Sequence, residues 1–269
     1  MAEFVSGAPT GPARFLDLPE GFRSRFTIDV LPSCESTSAL LQERAERGAP
    51  SGSVVVAENQ TAGKGNRGRS WTMRPGSGLA FSVLWHFQRE LGQLAGLSLA
   101  VGAAVARALN ALGAQGVSLK WPNDILGNDA KLGGILIDLQ ETPTCSFAVI
   151  GVGINLHVPD AIEFSDLALP PTALDALLSP LPDARDVFAA LLVELAKTLD
   201  VFSAHGFAPL RDEWQKLNAW QGRAVRLLNG SRLEKEGVCV GADDDGALLI
   251  RTPGGVERCV SGDLSLRAA

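Results

Sequence analysis

The sequence predicts an α+β domain, with a mixed and largely antiparallel central sheet flanked by helices, followed by a small β-barrel. Three observations carry this. Short β-branched segments alternate with helical runs between residues 28 and 220. Two glycine-bearing segments, 131–138 and 147–156, read as antiparallel neighbours. Beyond Gln221-Gly222 the pattern changes to short strands at 224–228, 232–240, 247–250 and 256–260, with Asn229-Gly230, Asp245-Gly246 and Gly254-Gly255 in the turns. The expected organisation is an N-terminal arm (1–27), a main domain (28–220) and the barrel (221–269). With 269 residues, 46% hydrophobic and 20% charged, the chain can bury a full core.

Taken in order, residues 1 to about 25 are rich in Gly, Pro and Arg without periodicity and read as a tail. A short strand at 28–31 leads into Cys34-Glu35-Ser36-Thr37-Ser38, then a helical run over 39–47 that stops at Gly48. Two readings of Ser36-Thr37 stand: a helix N-cap, or hydroxyls that meet a small polar ligand at a strand-to-helix turn. The β-branched strand 53–57 delivers the chain into E-N-Q-T-A-G-K-G-N-R-G-R-S-W at 58–71. Three glycines there alternate with Lys64, Arg67 and Arg69, and Trp71 closes the run. Such a loop can turn amides toward an anion and offer a flat ring to a base, or it can be a solvated basic loop. Its spacing is neither a Walker A loop nor a dinucleotide fingerprint.

A strand at 79–86 follows, then small and apolar residues at helical spacing over 94–112, ended by Gly113. The Ala and Gly content predicts a buried helix packed closely on a sheet. Lys120 closes the apolar strand 117–120 ahead of Trp121-Pro122, so its ammonium is either partly desolvated and poised for an anion or snorkels to solvent. Asn123-Asp124 reads as a turn. Glycines within 131–138 and 147–156 mark a bulge or the close approach of a ligand. Asn155 reads as a purine or phosphate contact, or as a strand-ending turn residue. Residues 159–182 read as a loop with a short helix near 173–178. Residues 186–203 form an amphipathic helix and 210–218 a shorter one.

Charge and composition narrow the function. The formal net charge is -6, which disfavours a general nucleic-acid role and makes the basic loop stand out. No apolar run reaches the ~18 residues of a membrane span, and no secretory signal is visible. Four scattered cysteines and three histidines lack metal-ligand spacing, which suits reduced thiols in a cytoplasmic protein.

Together Ser36-Thr37, the 58–71 loop, K-W-P-N-D at 120–124, K-L-G-G-I-L at 131–136 and G-V-G-I-N at 151–155 resemble the catalytic region of biotin protein ligases. Order and spacing are similar over about residues 28–269. The resemblance implies a class II synthetase-like catalytic domain with an SH3-like C-terminal barrel. It implies that biotin and MgATP give biotinyl-5′-AMP, and that biotin then passes to a lysine on the biotin carboxyl carrier domain of acetyl-CoA carboxylase or a related acyl-CoA carboxylase. By resemblance Lys120, Arg67 and Arg69 are catalytic. Ser36, Thr37, Ser38 and Gln60 hold the biotin head group, and Gly63, Lys64, Gly65, Asn66, Lys120 and Gly134 complete that side. The adenylate falls to Lys64, Arg67, Arg69, Trp71, Asn123, Lys131 and Asn155. No protein-held metal is expected, since Mg²⁺ travels with ATP.

Bifunctional members carry a DNA-binding winged helix ahead of the first strand. Too few residues precede it here, so DNA binding is not expected. A monomer or a weak homodimer paired through the strand at 133–140 is expected. The rivals are a lipoate- or octanoate-protein ligase or transferase, which would lack a ureido group for Ser36, Thr37 and Gln60 to satisfy, and a biotin-binding regulator without turnover. Three positions depart from the family pattern. Lys64 stands where arginine is usual, Ser38 replaces a common asparagine, and Asn66 often is arginine, at a position associated with retaining the adenylate. Asn66 is therefore expected to let the adenylate escape faster. Asn66→Arg should slow biotinyl-AMP release in a single-turnover assay, and an unchanged release rate rejects the idea.

Overall fold

A computed structural model of the chain describes residues 18–141, 146–157, 169–260 and 264–269. Its first sheet contains β1 (Thr27–Leu31), β2 (Ser53–Ala57), β3 (Gly78–Phe87), β4 (Val117–Lys120), β5 (Asp124–Gly127), β6 (Ala130–Glu141) and β7 (Ser146–Asn155). Their order across the sheet is β1-β2-β3-β7-β6-β5-β4. Of these strand pairs only β1 and β2 run parallel, which requires a crossover, and helix α2 (Thr37–Glu46) supplies it. The mixed, largely antiparallel sheet expected from the sequence is what forms.

Strand alternation sorts side chains to two faces. Phe81, Val83, Ile135, Ile150 and Val152 belong to the main core, which α3 (Leu97–Ala111) and α4 (Ala184–His205) seal. Eleven of the 15 residues of α3 are buried, as its Ala and Gly content predicts. By length and composition the stretch Leu91–Ala111 could cross a membrane, contrary to the sequence reading. Here it is broken at Gly96 (φ 80°) and packed in the core.

The α2 side of the sheet is covered only in part. Leu41 of α2 packs on Val55, Leu84, Phe147 and Val149. One step along the same face the cross-strand row becomes Ser82, Gly151 and Leu136, and the next is Ala80, Gly153 and Gly134. Side-chain volume falls beside the first turn of α2, so the sheet itself leaves a hollow.

The second sheet holds β8 (Ala224–Asn229), β9 (Arg232–Ala242), β10 (Leu248–Thr252), β11 (Gly255–Cys259) and β12 (Leu264–Ala268), in the order β11-β10-β9-β8-β12. All four of its strand pairs are antiparallel. It docks on the first unit through α5 (Arg211–Leu217), where Gln215 donates to the Val240 carbonyl at 3.0 Å, and through Trp121, whose Nε1 donates to the Gly246 carbonyl at 3.1 Å.

Several expectations need correction. Asp124 is not a turn residue; it opens β5, which folds back antiparallel on β4. The barrel has a fifth strand, β12, paired with β8. The helix near 173–178 is a single 3₁₀ turn, Leu174–Ala176. The chain ahead of β1 is not all tail. Leu18 is buried, a four-residue helix α1 (Glu20–Arg23) follows, and Arg25 makes paired hydrogen bonds to Asp200 of α4 at 2.8 and 2.6 Å. The earlier arm and much of the 159–182 loop lie outside the described residues.

Leu41→Ala is expected to cost about 2–5 kcal/mol in denaturant unfolding, because a fully buried leucine leaves a cavity. Loosening of α2 should also weaken binding at the hydroxyls of its first turn.

Candidate active site

The hollow is a cavity of about 460 Å³, floored by Ser82, Gly151, Gly153 and Gly134. Its walls come from the start of α2, the 58–71 loop, and the β5–β6 region. A narrow cleft of about 40 Å³ adjoins it, sharing Arg69, Asn123 and Lys131 and adding Arg67, Lys120, Asp124 and Arg267. The first is largely apolar in its floor, and the second is crowded with charge.

At the α2 wall the two readings of Ser36-Thr37 separate. Ser36 Oγ caps the helix, accepting from Ala39 N at 3.5 Å and lying 3.1 Å from Ser38 Oγ. Ser36 does not line the cavity, whereas Thr37 and Ser38 do. Thr37 Oγ1 lies 2.9 Å from Ser82 Oγ, and its backbone N–H donates to Gln60 Oε1 at 2.7 Å. With its oxygen engaged, the Gln60 amide keeps its N–H₂ donors for other partners.

The 58–71 loop contains a tight hairpin. Gly65 N donates to Arg69 O at 2.7 Å and Trp71 N to Gly63 O at 2.8 Å. Gly63 also stands outside the cavity; a Cβ there would collide with the Trp71 carbonyl. Arg67 (φ 63°) and Gly68 (φ 69°) turn through the left-handed region, unusual for arginine, and this brings the Arg67 side chain to the cleft. Lys64, Gly65 and Asn66 line the cavity, and Asn66 Nδ2 donates to the Ile135 carbonyl at 3.1 Å. Asn123 Nδ2 donates to the same carbonyl at 2.8 Å, tying loop and sheet together.

Trp71 lies against the floor. A Cβ at Gly153 would sit 2.6 Å from its ring, so only glycine admits the indole there. Its Nε1 is buried without a hydrogen-bond partner among the described residues. Asn155, which also lines the cavity, holds the Thr172 carbonyl at 2.9 Å.

The cleft is dominated by Lys120, Asp124 and Lys131. Lys120, only 4% exposed, donates to Asp124 Oδ2 at 2.6 Å, while Lys131 donates to Oδ1 at 2.6 Å. The Lys120 ammonium also lies 5.2 Å from the Trp220 ring centroid. Burial alone would raise the Asp124 carboxyl, but the two ammoniums overcome it and hold it at about 2. Burial pushes Lys120 below the usual lysine range, and the Asp124 charge opposes that fall. Snorkelling to solvent is thus excluded for Lys120.

Comparison with known proteins places this arrangement. Residues 30–155 match the biotin/lipoate A/B protein ligase family, and residues 222–267 match the biotin protein ligase C-terminal domain. The bifunctional ligase/repressor BirA of Escherichia coli (strain K12) is 34% identical over 248 residues, covering 90% of this chain and 75% of that protein. The chain belongs to the biotin protein ligase family. The biotin–[acetyl-CoA-carboxylase] ligase of Paracoccus denitrificans is 33% identical over 233 residues, covering 84% of this chain and 95% of that one. Among solved structures, the biotin protein ligase of Aquifex aeolicus in complex with biotin and ATP matches with a TM-score of 0.75 at 28% identity, over 90% of this chain and 99% of that chain.

Within this biotin protein ligase fold, several cleft and cavity residues had no site role assigned from the sequence, among them Asp124, Arg267 and Ser82. Asp124, the last residue of the K-W-P-N-D stretch, was read as part of a turn with no role of its own; the reversal between β4 and β5 brings its carboxylate onto Lys120. Arg267 belongs to the unanticipated β12 and reaches the cleft from the barrel. Its guanidinium is depressed by burial and by Arg69, with Asp124 opposing. Ser82 sits inside an apolar strand and carried no signal.

Gly153→Ala is expected to push the Trp71 indole off the floor. Titration by tryptophan fluorescence should then show nucleotide affinity falling at least tenfold, about 1.4 kcal/mol, with biotin binding less affected.

Proposed function

We propose that the chain is an ATP-dependent biotin protein ligase that makes biotinyl-5′-AMP and transfers biotin to a carrier-domain lysine. The observation that carries the reading is the adjacency of the two spaces. A hydroxyl- and amide-walled cavity suits a small, neutral polar head group on an apolar floor. It opens beside a cleft where, among the described residues, five cations surround a single carboxylate. Activation brings a carboxylate to an α-phosphate, two anions that repel, and a positive cleft lowers that barrier. A unit charge pair at 4 Å is worth about 4 kcal/mol at an effective dielectric of about 20.

In the first step a biotin carboxylate oxygen bonds to the α-phosphorus, and the bond to the bridging oxygen breaks, releasing pyrophosphate. Lys120 holds the carboxylate and α-phosphate oxygens together, while Arg67, Arg69, Lys131 and Arg267 take the charge of the departing phosphates. Thr37, Ser38 and Gln60 orient the head group, with Ser36 acting through the α2 cap. Trp71 and Asn155 bound the adenine end. In the second step the acceptor lysine, as the free amine, attacks the acyl carbon; AMP leaves and the nitrogen sheds a proton. Mg²⁺ bound to the nucleotide would neutralise phosphate charge. The cleft suits a metal carried by phosphate, because the carboxylate of Asp124 is already shared between two ammoniums.

The acceptor we propose is the biotin carboxyl carrier domain of acetyl-CoA carboxylase or a related acyl-CoA carboxylase, in keeping with the name of the Paracoccus relative. Biotin-dependent exchange of labelled pyrophosphate into ATP tests the reading, with lipoate and octanoate as parallel substrates. Exchange with biotin alone is expected. Exchange with lipoate or octanoate instead moves the chain to the rival ligase, and tight biotin binding with no exchange leaves a non-catalytic binder.

A further inference from the structure

Lys120 is buried in a cluster of its own sign. Around it stand Lys131 from β6, Arg67 and Arg69 from the 58–71 loop, and Arg267 from β12, with the Trp220 ring on one side. Among the described residues, Asp124 of β5 is the only acidic side chain lining the cleft. Its two oxygens are divided, one to Lys120 and one to Lys131, each at 2.6 Å. A buried amine among cations loses its proton unless an anion faces it. A neutral Lys120 could not draw biotin's carboxylate to the α-phosphate.

We propose that Asp124 is a positioning residue that keeps Lys120 in its ammonium form and aims it into the cleft, and that Lys131 competes for the same carboxylate. The inference rests on the biotin-activation reading and adds to it a division of labour inside the lysine pair. Lys131 is partly exposed and reaches both spaces, so it can leave Asp124 for the incoming phosphates. Its departure returns the whole carboxylate charge to Lys120 at the moment when Lys120 meets its substrate. Nucleotide binding at Lys131 thereby strengthens the charge on Lys120. At about 2, Asp124 itself is too weak a base to take the proton of the acceptor lysine.

The test reads position on the pH axis, with opposite signs for two variants. In pyrophosphate exchange, Asp124→Asn should move the alkaline limb of kcat/KM to lower pH by about one unit or more, a tenfold change in the charged-to-neutral ratio per unit. Lys131→Met should move it to higher pH, whatever its effect on the rate. A uniform loss of activity with the limb in place, in either variant, overturns the proposal. The Lys120 titration can also be followed without substrates, by NMR of lysine labelled at Cε and assigned with Lys120→Arg. Its midpoint should fall in Asp124→Asn and rise in Lys131→Met. Should Asp124→Asn fail to fold, an unchanged or lower midpoint in Lys131→Met overturns the idea by itself. Because this readout needs no turnover, it separates failure of the proposal from failure of the ligase reading.

Discussion

A sheet whose one face is sealed along its length, while the other is sealed only in part, is the constraint from which the rest follows. Helices α3 and α4 close the main core on one side. On the other side Leu41 of α2 covers Val55, Leu84, Phe147 and Val149 and leaves the floor beyond them open. The next two rows would expose apolar surface if they carried large side chains. At β3, β7 and β6 they carry Ser82, Gly151, Ala80, Gly153 and Gly134 instead, with Leu136 the one large residue on these three strands. The ladder satisfies the backbone of this floor, so the floor itself can offer little polar recognition. Recognition has to come from the rim, where α2 begins, where the glycine-rich hairpin folds over, and where β5 meets β6. Those are the places where Thr37, Gln60, Asn66 and Asn123 stand.

The cleft beside it obeys a different rule. Five cations come from four separate segments, and proximity among them is unfavourable without an anion. Asp124 offsets part of that repulsion, yet a buried ion pair is weak evidence for stability, since desolvation consumes much of its Coulomb energy. The excess positive charge is better understood as a site preorganised for phosphates than as a device to hold the fold. The chain's net charge of -6 sharpens the contrast, because the basic groups gathered here leave the remaining chain more acidic than that total.

Legibility in the sequence tracked the range of the interaction. Helix α3 was readable because burial shows directly as Ala and Gly at helical spacing, and β2 because three consecutive valines have few other uses. The 58–71 loop was readable as chemistry because glycine and cation alternate along one short stretch. What the sequence hid depends on return paths. Asp124 faces Lys120 only because the chain reverses at Trp121 and Pro122. Arg267 enters the cleft only because β12, the last strand of the chain, closes on β8, the first of the barrel. Ser36 looked equivalent to Thr37, and cap geometry alone turns the first inward to its own helix and leaves the second at the cavity wall. The buried Leu18 was hidden for a similar reason, since it joins a core built almost wholly from residues far along the chain.

The barrel is bound into the same electrostatic arrangement. Trp121, adjacent to Lys120 in the chain, is completely buried and hydrogen-bonded to the barrel turn at Gly246. Trp220, at the entrance to the barrel, faces the Lys120 ammonium. Arg267, on its last strand, adds positive charge to the cleft and is itself depressed by burial and by Arg69. Lys120 is therefore desolvated by groups from both units, and neither alone creates its environment. Since desolvation sets both the strength of its pairing with an anion and its need for Asp124, the chemistry of the cleft depends on how the barrel is seated. A sheet with a hollow supplies the space; the docked barrel makes that space dry enough for a single lysine charge to matter.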